Sequence, residues 1–433
     1  MKKLLLILIP AALAASLAAQ EAWPLERCIA YALEHNIDIR QQDNQVAVRQ
    51  AEYLRRKLDH LPSLNARIGQ DYNWGRSVDM QELVIIRNKL TKATGASLSA
   101  TFTLFEGFSR HYARLAAGKA VEAAAYEAES LRDALAINVT RAFLELMLAR
   151  QIHAYTCESY GTIVQQQQRT ASLVDAGSQP KSALNELEAQ VASEKATMVE
   201  ASCKVRTAQL ALSRLMNLPP DSTFVTESAF GEDSPVARAP VLSASEVEDY
   251  VERDARTLSA QSAIERQKHL HSLSRNAFLP TVSLSAGYGS YYSSSADGNL
   301  RKQMDENRNP SLSFQIGIPL FNTGQAFVQE RQQRLNLEAA RLDEEKVRTQ
   351  IAEEIHEAAI EADNCYQKVL SAEETLQAVQ SLLDITEARY NLGAATALDY
   401  IVARNNHFKA VSDYLQAKWQ YLFQLKLLER YRR

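Results

Sequence analysis

Cysteine is scarce in this chain, with four among 433 residues, at positions 28, 157, 203 and 365, and no CxxC spacing. So few thiols so far apart exclude a disulfide scaffold. Two readings stay open: one pair, Cys157 with Cys203 across a helical hairpin, or buried free thiols. Long apolar runs are also missing. Beyond residue 20 no stretch approaches the roughly 18 residues that a spanning helix needs, so a mature chain that crosses a membrane must do it with strands. Charge of one sign is missing too: 48 basic against 52 acidic residues give −4, spread along the chain. That leaves no basic footprint for DNA or RNA, and no nucleic-acid partner is expected.

Catalytic motifs are equally absent. His356-Glu357 has no histidine at 360, so there is no HExxH zinc site. His269 and His271, two apart, fall on different sides of a helix and cannot share a metal. No Walker A loop, Rossmann fingerprint or GxSxG elbow occurs. The pairs Glu353-Glu354 and Glu373-Glu374 read as solvated helix faces. The expectation is a protein that is not an enzyme, with no cofactor and no metal.

What is present begins with Met1-Lys2-Lys3, an apolar run from Leu4 to Ala15 and the small residues Ser16-Leu17-Ala18-Ala19. This reads as an export leader over residues 1–20. A transmembrane anchor is the competing reading, and Pro10 and the shortness of the run argue against it. The first cysteine is Cys28, so a lipid-anchored start is not expected.

The main feature is a duplication. Leu61-Pro62 opens a strand-like stretch and Leu279-Pro280 opens another; Leu104-Phe105-Glu106-Gly107 closes the first and Leu320-Phe321-Asn322-Thr323-Gly324 the second. Phe105 to Gly177 and Phe321 to Gly393 are both 72 positions, and the copies lie 216 apart. The expected boundaries are a first repeat over 21–218, with a β-hairpin at 62–105 and a helical tip near 177, and a second over 243–433, with a hairpin at 280–321 and a tip near 393. Pro219 to Pro240, with four prolines, marks a linker over 219–242. One composite body with internal pseudo-twofold symmetry follows.

From Leu64 the period becomes two: Leu64, Ala66, Ile68, Tyr72 and Trp74 oppose Asn65, Arg67, Gly69, Asp71 and Asn73. After a polar loop, Ala96, Leu98, Ala100, Phe102 and Leu104 alternate with Ser97, Ser99, Thr101 and Thr103. In the second copy Val282, Leu284, Ala286 and Tyr288 oppose Ser283, Ser285, Gly287 and Gly289; then Leu312, Phe314, Ile316 and Ile318 oppose Ser311, Ser313, Gln315 and Gly317. Strands of about ten residues with one apolar and one small polar face suit a transmembrane barrel wall. Tyr72, Trp74, Tyr288, Tyr291 and Tyr292 toward the loops, and Phe102, Phe105, Phe314 and Phe321 toward the helices, read as interfacial girdles. Hairpins of a soluble sandwich would alternate in the same way.

Helical pattern fills the rest. A helix is expected from about Pro24 to His60. No proline occurs between Gly107 and Val174, a span worth about 100 Å of helix. Within it Ala128, Leu131, Leu135, Ala142 and Leu146 form a heptad-like seam. Breaks fall at Asp175-Ala176-Gly177-Ser178-Gln179-Pro180 and at Asn391-Leu392-Gly393, where glycine supplies a left-handed helix end.

Four strands cannot close a barrel in lipid, so the edges require other copies. Two copies give eight strands and a barrel filled by side chains; three give twelve and a wet lumen, which the serines and threonines of the polar face fit. The fold class expected is mainly α with transmembrane β: long coiled helical hairpins plus four strands per protomer, a homotrimeric twelve-stranded barrel continued by a helical tunnel.

In its order of helix, hairpin, long helix, tip and helix, in Leu-Pro before each up-going strand, in Leu104-Phe105-Glu106-Gly107 with Leu320-Phe321, and in Arg389-Tyr390-Asn391-Leu392-Gly393 followed by Asp399, the chain resembles the TolC-like outer-membrane efflux proteins. The resemblance implies an outer-membrane, lipid-embedded duct of a Gram-negative bacterium with a periplasmic helical extension. It would work with a periplasmic adaptor and an inner-membrane transporter in a tripartite pump or type I secretion system, passively and with an iris-like gate. It implies that Tyr390 joins the closing network and that Asp399 forms a constricting ring whose carboxylates repel one another and attract cations. It implies adaptor docking at Ala176, Gly177, Ser178, Leu392, Gly393 and Ala394. The chain departs from the pattern at Val402, where a second aspartate is expected, at Ala395, where some relatives have an arginine, and at Ala183, the first-repeat counterpart of Asp399. The alternatives are a periplasmic coiled-coil adaptor or tether without a pore and, for Asp399, an ordinary helix-start carboxylate.

Overall fold

The structure, a computed structural model, describes residues 23–78, 84–219, 226, 237–321 and 324–432. The leader expected over 1–20 lies outside the described residues, as does most of the linker. In order come α1 (Leu25–His35), α2 (Ile37–Leu58), β1 (Ser63–Val78), β2 (Ile85–Glu106), α3 (Ser109–Asp175), α4 (Lys181–Leu215), α5 (Ala244–Arg253), α6 (Ala255–Arg275), β3 (Thr281–Ser293), α7 (Leu300–Glu306), β4 (Asn309–Gly317), α8 (Gln325–Asn391) and α9 (Ala397–Arg432). The duplication is metrically strict in the helices. Ser109 and Gln325, Asp175 and Asn391, and Lys181 and Ala397 are each 216 apart, and α3 and α8 both have 67 residues.

The continuous helix expected from Pro24 to His60 is two helices. Asn36 breaks it with ψ 133°, and Asp254, 218 positions on, breaks the second copy with ψ 134°. Asn36 carries out both halves of the break. Its Oδ1 accepts from Asp38 N at 2.8 Å, capping α2, and its Nδ2 donates to Leu215 O at 3.0 Å, occupying a carbonyl at the end of α4.

The chain divides into two compact units. One contains Asn44–Tyr126 and Arg256–Val347. Its centre is a four-stranded antiparallel sheet in the order β1-β2-β3-β4. The register puts Leu64 opposite Ala100, Ala100 opposite Ala286, and Ala286 opposite Leu312, so the apolar residues of all four strands share one face. That face is bare: Ile68 is 82% and Leu312 74% exposed. The other face has rows such as Asn65, Ser99, Gly287 and Ser311.

Two expectations about the strands need correction. β1 and β2 have 16 and 22 residues rather than about ten, because the ladder runs on through Tyr72↔Lys92, Trp74↔Leu90 and Val78↔Ile85. Lys92 and Thr94 interrupt the apolar face and look like loop in the sequence, but backbone pairing does not need an apolar side chain. Leu104 does not continue the apolar row either. A register shift between Thr103 and Phe105 sets Phe105 opposite Val282 in its place. The helix α7, in the β3–β4 connection, was not expected. It is anchored by the fully buried Gln303, whose amide donates to Ser293 O and Ala296 O and accepts from Ser293 N, at 2.9 to 3.1 Å.

The other unit contains residues up to Asp43, Glu127–Ala255 and the chain from Arg348 onward. One core packs Cys28 and Ala32 of α1 against Val139, Phe143 and Leu146 of α3, Leu212 of α4 and Trp419 of α9. The expected seam lies in this unit: Ala128, Leu135, Ala142 and Leu146 are buried and Leu131 packs beside them. The cysteine expectations are corrected. All four thiols are free, Cys28 and Cys365 are buried, and Cys157 and Cys203 are exposed, so neither a Cys157–Cys203 bond nor four buried thiols describes them. Each of the exposed pair points to a neighbour on its own helix: Cys157 Sγ lies 3.6 Å from His153 Nε2, and Cys203 Sγ accepts from Arg206 at 3.4 Å.

Candidate gate at the helical tips

Both tips are built in the same way. After α3, Gly177 takes φ +74°, Ser178 N donates to Leu173 O at 2.8 Å and Gly177 N to Val174 O at 2.9 Å. After α8, Gly393 takes φ +75°, Ala394 N donates to Arg389 O at 2.8 Å and Gly393 N to Tyr390 O at 3.0 Å. This is the paired-bond helix stop that a left-handed residue makes at low cost only when it is glycine. Ala176, Gly177 and Ser178 are exposed, as are Leu392, Gly393 and Ala394. Leu392, at 85% exposure, is the large apolar side chain of the second tip.

Behind the tips the two hairpins meet in one core of Ile163, Ala183, Leu187, Tyr390, Ala397, Tyr400 and Ile401. Tyr390 is 4% exposed and its ring stacks on that of Tyr400, 2% exposed, with centroids 5.3 Å apart and planes 12° apart. The Tyr390 hydroxyl meets Thr170 Oγ1 at 3.1 Å, tying α8 to α3. Ala183, where an aspartate would match Asp399, is part of this apolar packing instead.

Deeper in, the buried Arg404 of α9 donates to Ser159 Oγ at 2.8 Å, to the Ser159 carbonyl, and to Tyr400 Oη at 3.3 Å. Ser159 Oγ donates to Glu194 Oε2 at 3.4 Å, and Gln190 Nε2 bridges Glu194 Oε1 and Asn405 Oδ1 at 3.2 and 2.9 Å. Beside them Tyr155 and His407 share a hydrogen bond of 2.9 Å. Burial pushes the Tyr155 phenol up to about 12 and lowers His407, with Arg404 adding to the histidine's shift and Asp384 opposing it. Tyr390 stands out in the sequence through its motif, whereas Thr170, Ser159, Glu194, Tyr400 and Arg404 carry no such mark. Tyr400 and Arg404, i and i+4 on one helix, were the available signal, but helical spacing alone does not distinguish a buried arginine from a solvated one.

Asp399 sits elsewhere in this arrangement. It is exposed, and its Oδ2 accepts from Thr396 N at 3.0 Å and Thr396 Oγ1 at 2.7 Å, while Asp399 N donates to Thr396 Oγ1 at 3.1 Å. This reciprocal cap starts α9 and, helped by Arg389, holds the carboxyl below its ordinary range. A second link between the tip ends is Arg169 Nη1 to Asn391 Oδ1 at 3.1 Å. At the two other departures, Val402 is exposed and Ala395 packs against the tyrosine core. Among the described residues no group of three or more His, Cys, Asp or Glu side chains is placed to hold a metal.

Against known proteins, residues 28–218 and 251–431 match the family model described as outer membrane efflux protein. Outer membrane protein TolC of Escherichia coli (strain K12) is 22% identical over 431 residues, covering 98% of this chain and 84% of TolC. Outer membrane efflux protein BepC of Brucella suis biovar 1 (strain 1330) is 22% identical over 306 residues, 70% of this chain and 64% of BepC. The fold superposes on the Campylobacter jejuni CmeC outer membrane channel with a TM-score of 0.80 at 17% identity, covering 94% of this chain and 85% of CmeC. For CusC the TM-score is also 0.80, at 18% identity and 94% and 91% coverage. Because the family match takes in both copies of the duplication, it describes the chain as a whole, which belongs to the outer membrane efflux protein family and serves as an exit duct of the Gram-negative outer membrane.

Proposed function

We propose that three copies join their sheets edge to edge into a twelve-stranded barrel and that the helical tips gate its periplasmic end. The carrying observation is the sheet: β1 and β4 end its order, with no partner on their outer sides among the described residues, while its apolar face is bare. In lipid each unpaired backbone group costs several kcal/mol, so the edges must be met by another strand. Two copies would make an eight-stranded barrel, which needs side chains to fill it. Rows of Asn65, Ser99, Gly287 and Ser311 are too small for that, and twelve strands around water suit them.

In this reading Tyr390 belongs to the packing that holds the tips together, and Asp399, repeated three times around the axis, lines the constriction. The exposed small residues at 176–178 and 393–394 allow the close helix approach that a periplasmic adaptor needs, with an inner-membrane transporter behind it supplying the energy. The test is fractionation with electrophoresis. The protein should sit in the outer membrane as a trimer that heating dissociates, and a soluble periplasmic monomer overturns the proposal. A photocrosslinker at Ala176 or Ala394 should trap an adaptor. Crosslinks confined to the sides of the helices move the docking surface away from the tips.

A further inference from the structure

The polar face of the sheet carries two charges. Over Ser63 to Asn73 of β1, Thr91 to Thr103 of β2, Thr281 to Ser293 of β3 and Asn309 to Gly317 of β4, every residue on that face is uncharged except Arg67 and Asp71. Both are exposed. Arg67 shares its row with Ser97, Gly289 and Asn309, and Asp71 faces Ala93, so the register gives neither a counter-charge. Four strand positions separate them, about 13 Å. Between the two rows Gly69 faces Gly95. Neither glycine has a positive φ, and a Cβ on either would meet no atom within 4 Å. Backbone conformation and packing therefore do not call for glycine there, and a glycine inside a strand weakens it. What the pair does is lower the wall: a hollow of about 450 Å3 runs past Gly69, Gly95 and Gly289 and is lined by both charged side chains.

We propose that Arg67 and Asp71 set the charge selectivity of the strand-walled part of the duct. This rests on the twelve-stranded barrel proposed above, in which the polar face lines the lumen and each residue recurs three times, giving one ring of positive and one of negative charge. Assembly supplies no counter-charge of its own. The strand that meets the outer edge of β1 there is β4 of the next copy, whose polar face is Asn309, Ser311, Ser313, Gln315 and Gly317. The spacing of the rings is close to the screening length in about 0.1 M salt, about 10 Å, so a passing ion feels them in turn and not as a cancelling pair. An ion of either sign meets one attracting and one repelling ring. Removing one ring should leave the other to decide which sign passes.

The test is the reversal potential of the whole assembled protein in planar bilayers, in a KCl gradient around about 0.1 M. It is run in the wild-type background and again with Asp399→Ala, which takes the tip carboxylates out of the path. Arg67→Gln should raise the K+ to Cl− permeability ratio and Asp71→Asn should lower it, each about threefold, the effect of three charges about one screening length from the ion. Lys92→Gln removes a charge from the opposite face, beside Tyr72, and should change nothing. If Arg67→Gln fails to assemble, Ser97→Asp, which sets a carboxylate opposite Arg67, should move the ratio the same way. A ratio that both ring variants leave unchanged in both backgrounds, that both move in one direction, or that Lys92→Gln moves as far overturns the filter and leaves the barrel standing. A wild type that forms no channel overturns the barrel, and the filter with it.

Discussion

The hydroxyl of Tyr390 lies 3.1 Å from Thr170 Oγ1, which makes the second helical hairpin a hydrogen-bonded neighbour of the first just behind their tips. Tyr390→Phe keeps the stack on Tyr400 and removes that bond. Thr170 can then turn to a carbonyl of its own helix, so the cost should be about 1 kcal/mol. Tyr390→Ala empties the space beside Tyr400 and should cost about 3–5 kcal/mol. If the pair holds the tips closed, single-channel recordings in planar bilayers should show open probability rising in the order wild type, Phe, Ala. A fall in thermal stability with unchanged conductance would keep Tyr390 in the core and remove it from the gate.

Asp399 carries two readings, a helix cap and a constriction charge, and two substitutions separate them. Thr396→Ala removes the hydroxyl that gives and receives in the cap and leaves the carboxylate charge in place. Asp399→Ala removes both. A constriction role predicts that Asp399→Ala raises conductance and weakens block by divalent cations, with Thr396→Ala leaving the block nearly intact. Matching recordings from the two variants reduce Asp399 to a cap.

The same cap has a pH signature. The carboxyl of Asp399 is lowered in the fold, chiefly by its bonds to Thr396. A lowered carboxylate contributes stability that is complete above its unfolded value, about 3.9, and is lost as pH falls through the folded value. The start of α9 should therefore fray only below about pH 4, and amide exchange at Ala397 to Tyr400 reports it. Fraying that begins near neutral pH would point to the Tyr155–His407 pair in place of Asp399.

How much of this was legible beforehand differs by element. The long helices and their tips were, since Phe105 to Gly177 and Phe321 to Gly393 keep one spacing, glycine marks each stop, and the structure repeats the 216-residue offset at both ends of α3 and α8. The break at Asn36 was not read, although an Asx residue stands at the same place in both copies, because the apolar spacing continues across it. The length of β1 and β2 was hidden because polar residues such as Gln70 and Lys92 occupy the otherwise apolar face. Of the tip core, Tyr390 was visible through the motif around it. Arg404 was not: a charged residue on a long helix reads as solvated until a partner such as Ser159 is seen, 245 positions away.

Arg404 should be the costliest of the polar residues to remove. Its guanidinium reaches α3 through the carbonyl and hydroxyl of Ser159 and stays on its own helix through Tyr400. Arg404→Leu strips charged donors from buried acceptors and leaves Glu194, 5% exposed, without the nearby positive charge. The loss should be about 3–5 kcal/mol. Arg404→Leu combined with Glu194→Leu should recover part of it, since removing both charges ends the desolvation problem. A double variant no more stable than the single one would mean that the pair is not coupled through Ser159.

The thiols give the most direct check of packing. Cys157 and Cys203 are exposed; Cys28 and Cys365 are buried, and burial pushes Cys28 up to about 11 and Cys365 upward as well. The reactive species is the thiolate, so the buried pair is disfavoured twice, by access and by protonation. Maleimide at pH 7.5 to 8 should modify two thiols of the folded protein and four after denaturation. Reductant should leave both the count and the electrophoretic mobility unchanged, because no bond joins Cys157 to Cys203. Rapid labelling at Cys28 would mean that the packing of α1 against Val139, Phe143 and Leu146 opens readily. A mobility shift with reductant would bring back the disulfide that the four free thiols exclude.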